Sequence, residues 1–187
     1  MNNASTHEEP MEGFVVAGVA LIDTEARVTI RAIPDRPGVA GLVFTRLAEH
    51  HINVDMIIQS GGQSEKNTIS FTISEQDLDE ARTIVDELCS ELGTEQASYD
   101  PSMAKVSIVG AGMQSHPGVA ASMFACLGNA GINIEMISTS EIKISCAIQR
   151  QYGHRAVEAI HAAFELEKLY ETSNGQESQQ PGTGIKQ

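Results

Sequence analysis

The chain has 187 residues, with 25 acidic against 12 basic side chains, a formal net charge of -13 and no tryptophan. That balance argues against sequence-independent binding to nucleic acid, which needs clustered Lys and Arg to displace counterions, and an aromatic content of 4% leaves no stacking platform for single strands. No apolar run approaches the ~20 residues of a membrane span, and the polar start lacks a signal peptide's basic flank and apolar centre, so a cytoplasmic protein of one or two small modules is expected, with no membrane partner.

Residues 1–13 are polar and aperiodic and read as a mobile tail. Phe14 to Ile22, FVVAGVALI, is a continuous apolar run rich in Val and predicts a buried strand. A turn over Asp23–Ala26 leads to a strand at Val28–Ile33, with Val28, Ile30 and Ala32 on one face. Asp35-Arg36-Pro37-Gly38 then begins a helix: Asp35 can accept from free backbone N–H groups, and Pro37 stands where a missing N–H does no harm. Ala40, Val43, Phe44 and Leu47 are its apolar stripe. Past a turn at Ile52-Asn53 come a strand over Val54–Gln59, a Gly-Gly-Gln-Ser loop and a strand through Ile69, Phe71 and Ile73. Leu78, Ala81, Val85, Leu88 and Leu92 mark a second helix ending near Gly93, and Gln96–Asp100 a short closing strand. The order βαββαβ is the ferredoxin-like arrangement of the α+β class, two helices on one face of an antiparallel sheet.

The stretch PGVAGLVFTRLAEHHINVDMIIQS, Pro37 to Ser60, returns as PGVAASMFACLGNAGINIEMISTS, Pro117 to Ser140, with eleven of twenty-four positions identical. Chance would give roughly one or two, so this is an internal duplication. The second copy follows a strand at Lys105–Val109 and a loop over Gly110–His116, and it keeps the stripe as Ala120, Met123, Phe124 and Leu127. After a strand at Ile134–Ser138, residues 141–148 predict a partner strand with Ile142, Ile144, Cys146 and Ile148 inward and Lys143, Ser145 and Ala147 outward. A last helix spans about Gly153–Leu166 with Val157, Ile160 and Phe164 inward, and the polar remainder from about residue 171 reads as a second tail.

This second module has no closing strand after its last helix, whereas Phe14–Ile22 is a strand without a module. Joining the two makes the first module an insertion in the second: residues 14–23 complete the second domain, 24–101 form the first and 102–170 the rest of the second.

No catalytic constellation stands out. Cys89, Cys126 and Cys146 fall singly in three elements and read as reduced structural thiols, and the six histidines lack ligand spacing, so neither a metal nor a cofactor is expected. Gly110-Ala111-Gly112-Met113 lacks the third glycine and the parallel context of a dinucleotide loop. Asp55 and Glu135 hold equivalent strand positions, as solvent-facing or interface carboxylates. At the first helix start, by contrast, the Asp35 carboxylate stands opposite the amides of Gly38, Val39 and Ala40, the complement of a free α-amino acid, with Gln59 and Asn53 or Asn133 as further hydrogen-bonding groups. The same residues would equally serve as a plain helix cap and plain turns.

The paired PGVA helices, INVDMI and INIEMIS, GAGM followed by SHPGVA, and ISTSEIKIS resemble the two regulatory ACT domains of aspartate kinase, over about Phe14 to Leu166. The resemblance implies two ferredoxin-like ACT domains with the first inserted in the second, and no kinase activity in this chain, since the family's catalytic domain has no counterpart here. It is similar to the separately made β subunit: a β–β homodimer that partners a catalytic α subunit and mediates feedback inhibition by L-threonine, or by L-lysine and L-threonine together. Carried over by residue, Asp35, Gly38, Ala40 and Gln59 would line the first-domain side of the effector site, Asn133 and Ile134 the partner's side, and Ser140 would influence feedback sensitivity. The second module has Ser115 where the first has Asp35, and the loop Gly61–Asn67 bears on which effector is preferred. The alternative is a free-standing ACT amino-acid sensor or a regulatory subunit of another biosynthetic enzyme, such as the small subunit of an acetohydroxy-acid synthase.

Overall fold

The computed structural model of the protein describes residues 15–61, 66–111 and 118–166. Both expected tails, Phe14, most of the Gly-Gly-Gln-Ser loop, and Gly112–Pro117 with Ser115 lie outside the described residues. Six strands, β1 (Val15–Pro34), β2 (Val54–Gly61), β3 (Lys66–Ser74), β4 (Ser98–Ala111), β5 (Met136–Thr139) and β6 (Lys143–Gln149), form one antiparallel sheet in the order β2-β3-β1-β4-β6-β5. Four helices follow the expected positions: α1 (Val39–Glu49), α2 (Leu78–Leu92), α3 (Gly118–Asn129) and α4 (Gly153–Ala163).

Two long strands make the duplication a single sheet. The first half of β1, from Val15 to Ile22, pairs only with the second half of β4, while its second half, Glu25–Pro34, lies between β3 and the start of β4. Each module therefore has four strands in the ferredoxin-like order, and the first is inserted in the second through β1 and β4. The turn expected over Asp23–Ala26 is absent. The strand passes straight through it with register shifts between Ile22 and Glu25 and between Glu25 and Arg27, bulges that bend a strand without ending it. Likewise the two strands expected at Gln96–Asp100 and Lys105–Val109 are one: β4 runs unbroken from Ser98 to Ala111, and Gln96 and Ala97 stay outside it.

Two helix-covered cores sit on one side of the sheet. Val28, Ile30, Ile69, Phe71 and Ile73 pack with Val43, Leu47, Ala81, Val85 and Leu88, and Val106, Ile108, Ile144, Cys146 and Ile148 pack with Val119, Met123, Leu127, Ala156 and Ile160. The alternation of each strand and the 3.6-residue stripe of each helix place these groups without exception on the buried side. A third cluster, Met56, Met103, Met136 and Ala147, contains no helix residue. It forms where the sheet coils until β2 and β5, the outermost strands, approach each other.

Three expectations are corrected, the first of them by that third layer. Ser145 and Ala147, expected to face outward on β6, are buried at 2% and 1% exposure, because the face away from the helices meets the other module and not solvent. Ile142, expected inward, is 61% exposed, since β6 starts one residue later at Lys143. Of the run expected as a buried strand, the part from Val16 to Ile22 is largely open, with Val16 buried but Ile22 exposed, because this half of β1 pairs on one side only among the described residues.

Candidate functional site

The third layer is built from a repeat that the helix alignment hides. Glu25-Ala26-Arg27-Val28-Thr29-Ile30 on β1 corresponds to Met103-Ala104-Lys105-Val106-Ser107-Ile108 on β4. Thr29 Oγ1 meets Ser70 Oγ at 3.0 Å, and Ser107 Oγ meets Ser145 Oγ at 2.8 Å. The two carboxylates at equivalent positions, Asp55 and Glu135, each reach across to the other module: Asp55 pairs with Lys105, and Glu135 Oε2 accepts from Arg27 Nη1 at 2.8 Å. The interface reading of Asp55 and Glu135 thus has a physical form, a reciprocal pair of ionic ties. Arg27 also reaches Asp100 at 3.4 Å, and Lys105 reaches Glu25 at 3.3 Å. Arg150 closes the same junction, donating to the carbonyls of Glu25, Met103 and Pro101 and pairing with Glu75 at 2.8 Å.

These contacts shape the titration of the layer. The Arg27 guanidinium, with help from the Asn133 amide at 3.2 Å, holds the Glu135 carboxyl below its ordinary range against the effect of partial burial. Burial pulls Lys105 down, but its hydrogen bond to Asp55 and the charges of Glu25 and Asp55 outweigh that, and its pKa is raised. The thiols show no sign of activation where they titrate abnormally. Burial pushes Cys146 up to about 12 and also raises Cys126. Among the described residues no group of three His, Cys, Asp or Glu side chains is placed to hold a metal ion, and no helix is long and apolar enough to cross a membrane.

The loop that starts α1 borders a cavity of about 370 Å³, lined by Ile33, Pro34, Asp35, Arg36, Pro37, Gly38, Val39, Ala40, Gln59, Asn67 and Ile69. Its shape begins in β1. The strand bulges between Ile30 and Ile33, with Ala32 at φ 56°, and this turns Pro34 and Asp35 out of the sheet. Gly38 then takes φ 92° as the residue before the helix, a conformation in which a side chain is strained. The Val39 N–H is taken by the Arg36 carbonyl at 3.4 Å, which leaves the next amides of the first turn, Ala40 and Gly41, as the donors of the helix start. The Asp35 carboxylate makes no hydrogen bond among the described residues, so it does not act as the helix cap that its position allows. An unengaged carboxylate, the Arg36 guanidinium and free amide donors thus surround one small cavity.

Five of the eight sequence-predicted residues, Asp35, Gly38, Val39, Ala40 and Gln59, meet at this cavity. Asn133, Ile134 and Ser140 do not line it. Asn133 is exposed and donates to Glu135, Ile134 packs against the second core, and Ser140 turns β5 into β6 through its N–H to the Lys143 carbonyl at 2.7 Å. Asn53 lines a different cavity, between the modules. Sequence reasoning did not pick out Arg36 and Asn67 as lining residues. Arg36 was legible as the cation next to Asp35, whereas Asn67 becomes a wall only through its pairing with Ile33 and Gly61.

A family model described as ACT domain matches residues 29–88 and 106–164. An aspartate kinase of Stutzerimonas stutzeri is 43% identical over 160 residues, 86% of this chain and 39% of that protein. The chain thus spans about two fifths of the length of the curated relatives it matches. Among solved structures, the ligand-free regulatory subunit of aspartate kinase from Thermus thermophilus superposes with a TM-score of 0.76 at 44% identity, covering 80% of this chain and 98% of that one. A structure of aspartokinase alpha and beta subunits gives a TM-score of 0.75 at 42% identity over 81% of this chain and 99% of its own.

Proposed function

The chain belongs to the ACT-domain family, as a regulatory ACT-domain protein of aspartate kinase, and from that membership we propose that it binds L-threonine, alone or together with L-lysine, and transmits feedback inhibition to a catalytic kinase chain. The observation that carries this reading is the cavity at the start of α1. Asp35 offers a carboxylate to the effector's ammonium, and Arg36 and the Ala40 amide offer donors to its carboxylate. Gln59 on β2 supplies a further polar wall. In this proposal the site is completed by a second copy of the chain, whose Asn133 and Ile134 face the cavity and whose Ser140 lies nearby. Their absence from the cavity within one chain is compatible with that role.

Inhibition then follows from linkage. A ligand that touches two chains has differential affinity for the closed pair, and the closed pair holds the catalytic chains in a less active arrangement. The test is calorimetric titration of the purified chain with L-threonine and, separately, L-lysine, beside sedimentation. Asp35→Ala removes a charge-assisted hydrogen bond of about 1.5–3 kcal/mol, so the threonine affinity should fall by roughly ten- to a hundred-fold. Unchanged affinity in that variant would remove the cavity from consideration.

A further inference from the structure

The cavity at the start of α1 has one buried polar wall. Of its lining residues, Ile33, Val39, Asn67 and Ile69 are buried, and among these only Asn67 carries a polar side chain. It is 6% exposed, and its carboxamide makes no hydrogen bond among the described residues. Neither its oxygen nor its nitrogen is fully sealed, so both keep an opening through which a partner can reach them.

The strand fixes where that opening lies. Asn67 extends the row Ile69, Phe71 and Ile73 of β3 on the face that α1 covers, and its register partners are Ile33 on β1 and Gly61 on β2. Ile33, Ile69 and Gln59, the last paired with Ile69, line the cavity with it. Gly61 contributes no side chain, and a Cβ placed there would lie 3.9 Å from Asn67 Oδ1, so glycine leaves the carboxamide oxygen uncovered on that side. The internal repeat shows that the row does not require an amide. Ile57 pairs with Phe71 and the equivalent Ile137 with Cys146, which makes Ile142 the counterpart of Asn67. Since Ser115 stands in the place of Asp35, the carboxylate and the amide occur together in the first module only.

We propose that Asn67 sets the specificity of this cavity, its carboxamide pairing with a hydroxyl on a short, uncharged ligand side chain, so that the class it takes is the hydroxy-amino acids. The inference rests on the reading of the cavity as an amino-acid site, in which Asp35 and the helix start hold the ammonium and carboxylate. A carboxamide carries both donors and an acceptor, and a hydroxyl is the small group that answers both. Ile33 and Ile69 take the carbon part of the side chain. An apolar side chain would close over the amide and leave it unpaired. An ammonium-bearing one would match only the oxygen, and it would bring a charge to a buried wall of Ile33, Val39 and Ile69 that offers no carboxylate.

The experiment compares L-threonine with L-valine, which has a methyl group in place of the hydroxyl, by calorimetric titration of the full chain and of its Asn67→Leu, Asn67→Ala and Asp35→Ala variants. The wild type should bind threonine more tightly than valine by roughly five-fold to a hundred-fold, the effect of leaving a buried polar group unpaired. In Asn67→Leu that preference should vanish through weaker threonine and not through weaker valine, and valine binding itself reports that the cavity is intact. Asn67→Ala gives the same comparison if the larger leucine blocks both ligands. Asp35→Ala should weaken both ligands alike and leave their ratio as it is, which separates the two readings. Equal wild-type affinities for threonine and valine would overturn the role of Asn67 while leaving the amino-acid site standing. A preference that survives both Asn67 variants, or loss of both ligands in both, overturns it as well. If neither amino acid binds the folded wild type, the amino-acid reading falls and this inference with it.

Discussion

Replacing Lys105 by Met removes the one cation that serves two carboxylates from opposite modules. Its side chain is 9% exposed, as is that of Glu25, while Asp55 is one-third exposed. The loss of Asp55's partner is therefore partly compensated by solvent, and the cost concentrates on Glu25, which would keep a buried charge with neither oxygen paired. Breaking a buried pair in this way costs about 3–5 kcal/mol. Replacing both ends with apolar groups should cost far less, and the fold already contains the pattern, because Met103 occupies the position equivalent to Glu25. Glu25→Met in the Lys105→Met background should thus recover at least about 2 kcal/mol of the loss, as expected when an unpaired buried charge is removed. Urea unfolding at pH 7, followed by circular dichroism for the wild type, both single variants and the double variant, closes the cycle. A Lys105→Met penalty under about 1 kcal/mol, the range of an exposed pair, would refute the reasoning, and so would a double variant no more stable than Lys105→Met alone.

The opposite tie gives a pH signature. Glu135 has its folded pKa depressed, first by Arg27, so its contribution to stability is present above the unfolded carboxylate value and is lost as pH falls through the folded one. Glu135→Gln should therefore be less stable than the wild type at neutral pH, with the two converging below about pH 4 in thermal melts; a gap that stays constant with pH would show that the charge does not matter. Gly38 tests the loop itself. An added Cβ meets no atom within 4 Å, but φ 92° is strained for any L side chain, so Gly38→Ala should cost about 1–2 kcal/mol through backbone conformation alone, and a variant of wild-type melting temperature would contradict the assigned geometry.

The duplicated helix and strand were legible because their signal is local. The stripe of Val43, Leu47, Met123 and Leu127 and the alternation of Ile69, Phe71 and Ile73 follow from periods that any window of the chain displays. The loop of Asp35 and Gly38 was legible for a related reason: a helix start with Pro-Gly behind it fixes where its amides point, and Gln59 reaches the same cavity from β2. What could not be read was the third layer. Ala147 and Ser145 look solvent-facing in a strand taken alone, and only the coiling of six strands brings another module over them. The repeat of Glu25–Ile30 in Met103–Ile108 was missed because it lies two positions out of phase with the helix repeat, and a search allowing that shift would have paired Arg27 with Lys105. The turn expected at Asp23–Ala26 failed for a different reason, since polar residues end a strand only when no partner continues beside them, and β4 does continue.

The two cavities lie along the same strand. β1 carries Ile22, Thr24 and Glu25 at the intermodule cavity, Arg27 at the ionic tie to Glu135, the bulge at Ala32, and Pro34 where it delivers Asp35 to the cavity at α1. A strand held by hydrogen bonds on both sides from Glu25 to Thr29 resists sliding, because a shift of one residue would turn Arg27 away from Glu135 and bring Val28 out of the core. Rotation of the loop beyond the bulge is the softer coordinate, since past Ile30 the ladder to β3 loses register and the ladder to β4 has ended. In the proposed function, ligand binding at Asp35 would change how residues 35–38 present themselves to a neighbouring chain while the intermodule layer keeps the two domains as one body. A regulatory chain needs this division: a rigid frame that fixes the relation of its two domains, and a ligand-bearing loop free to discriminate between two ways of meeting a partner.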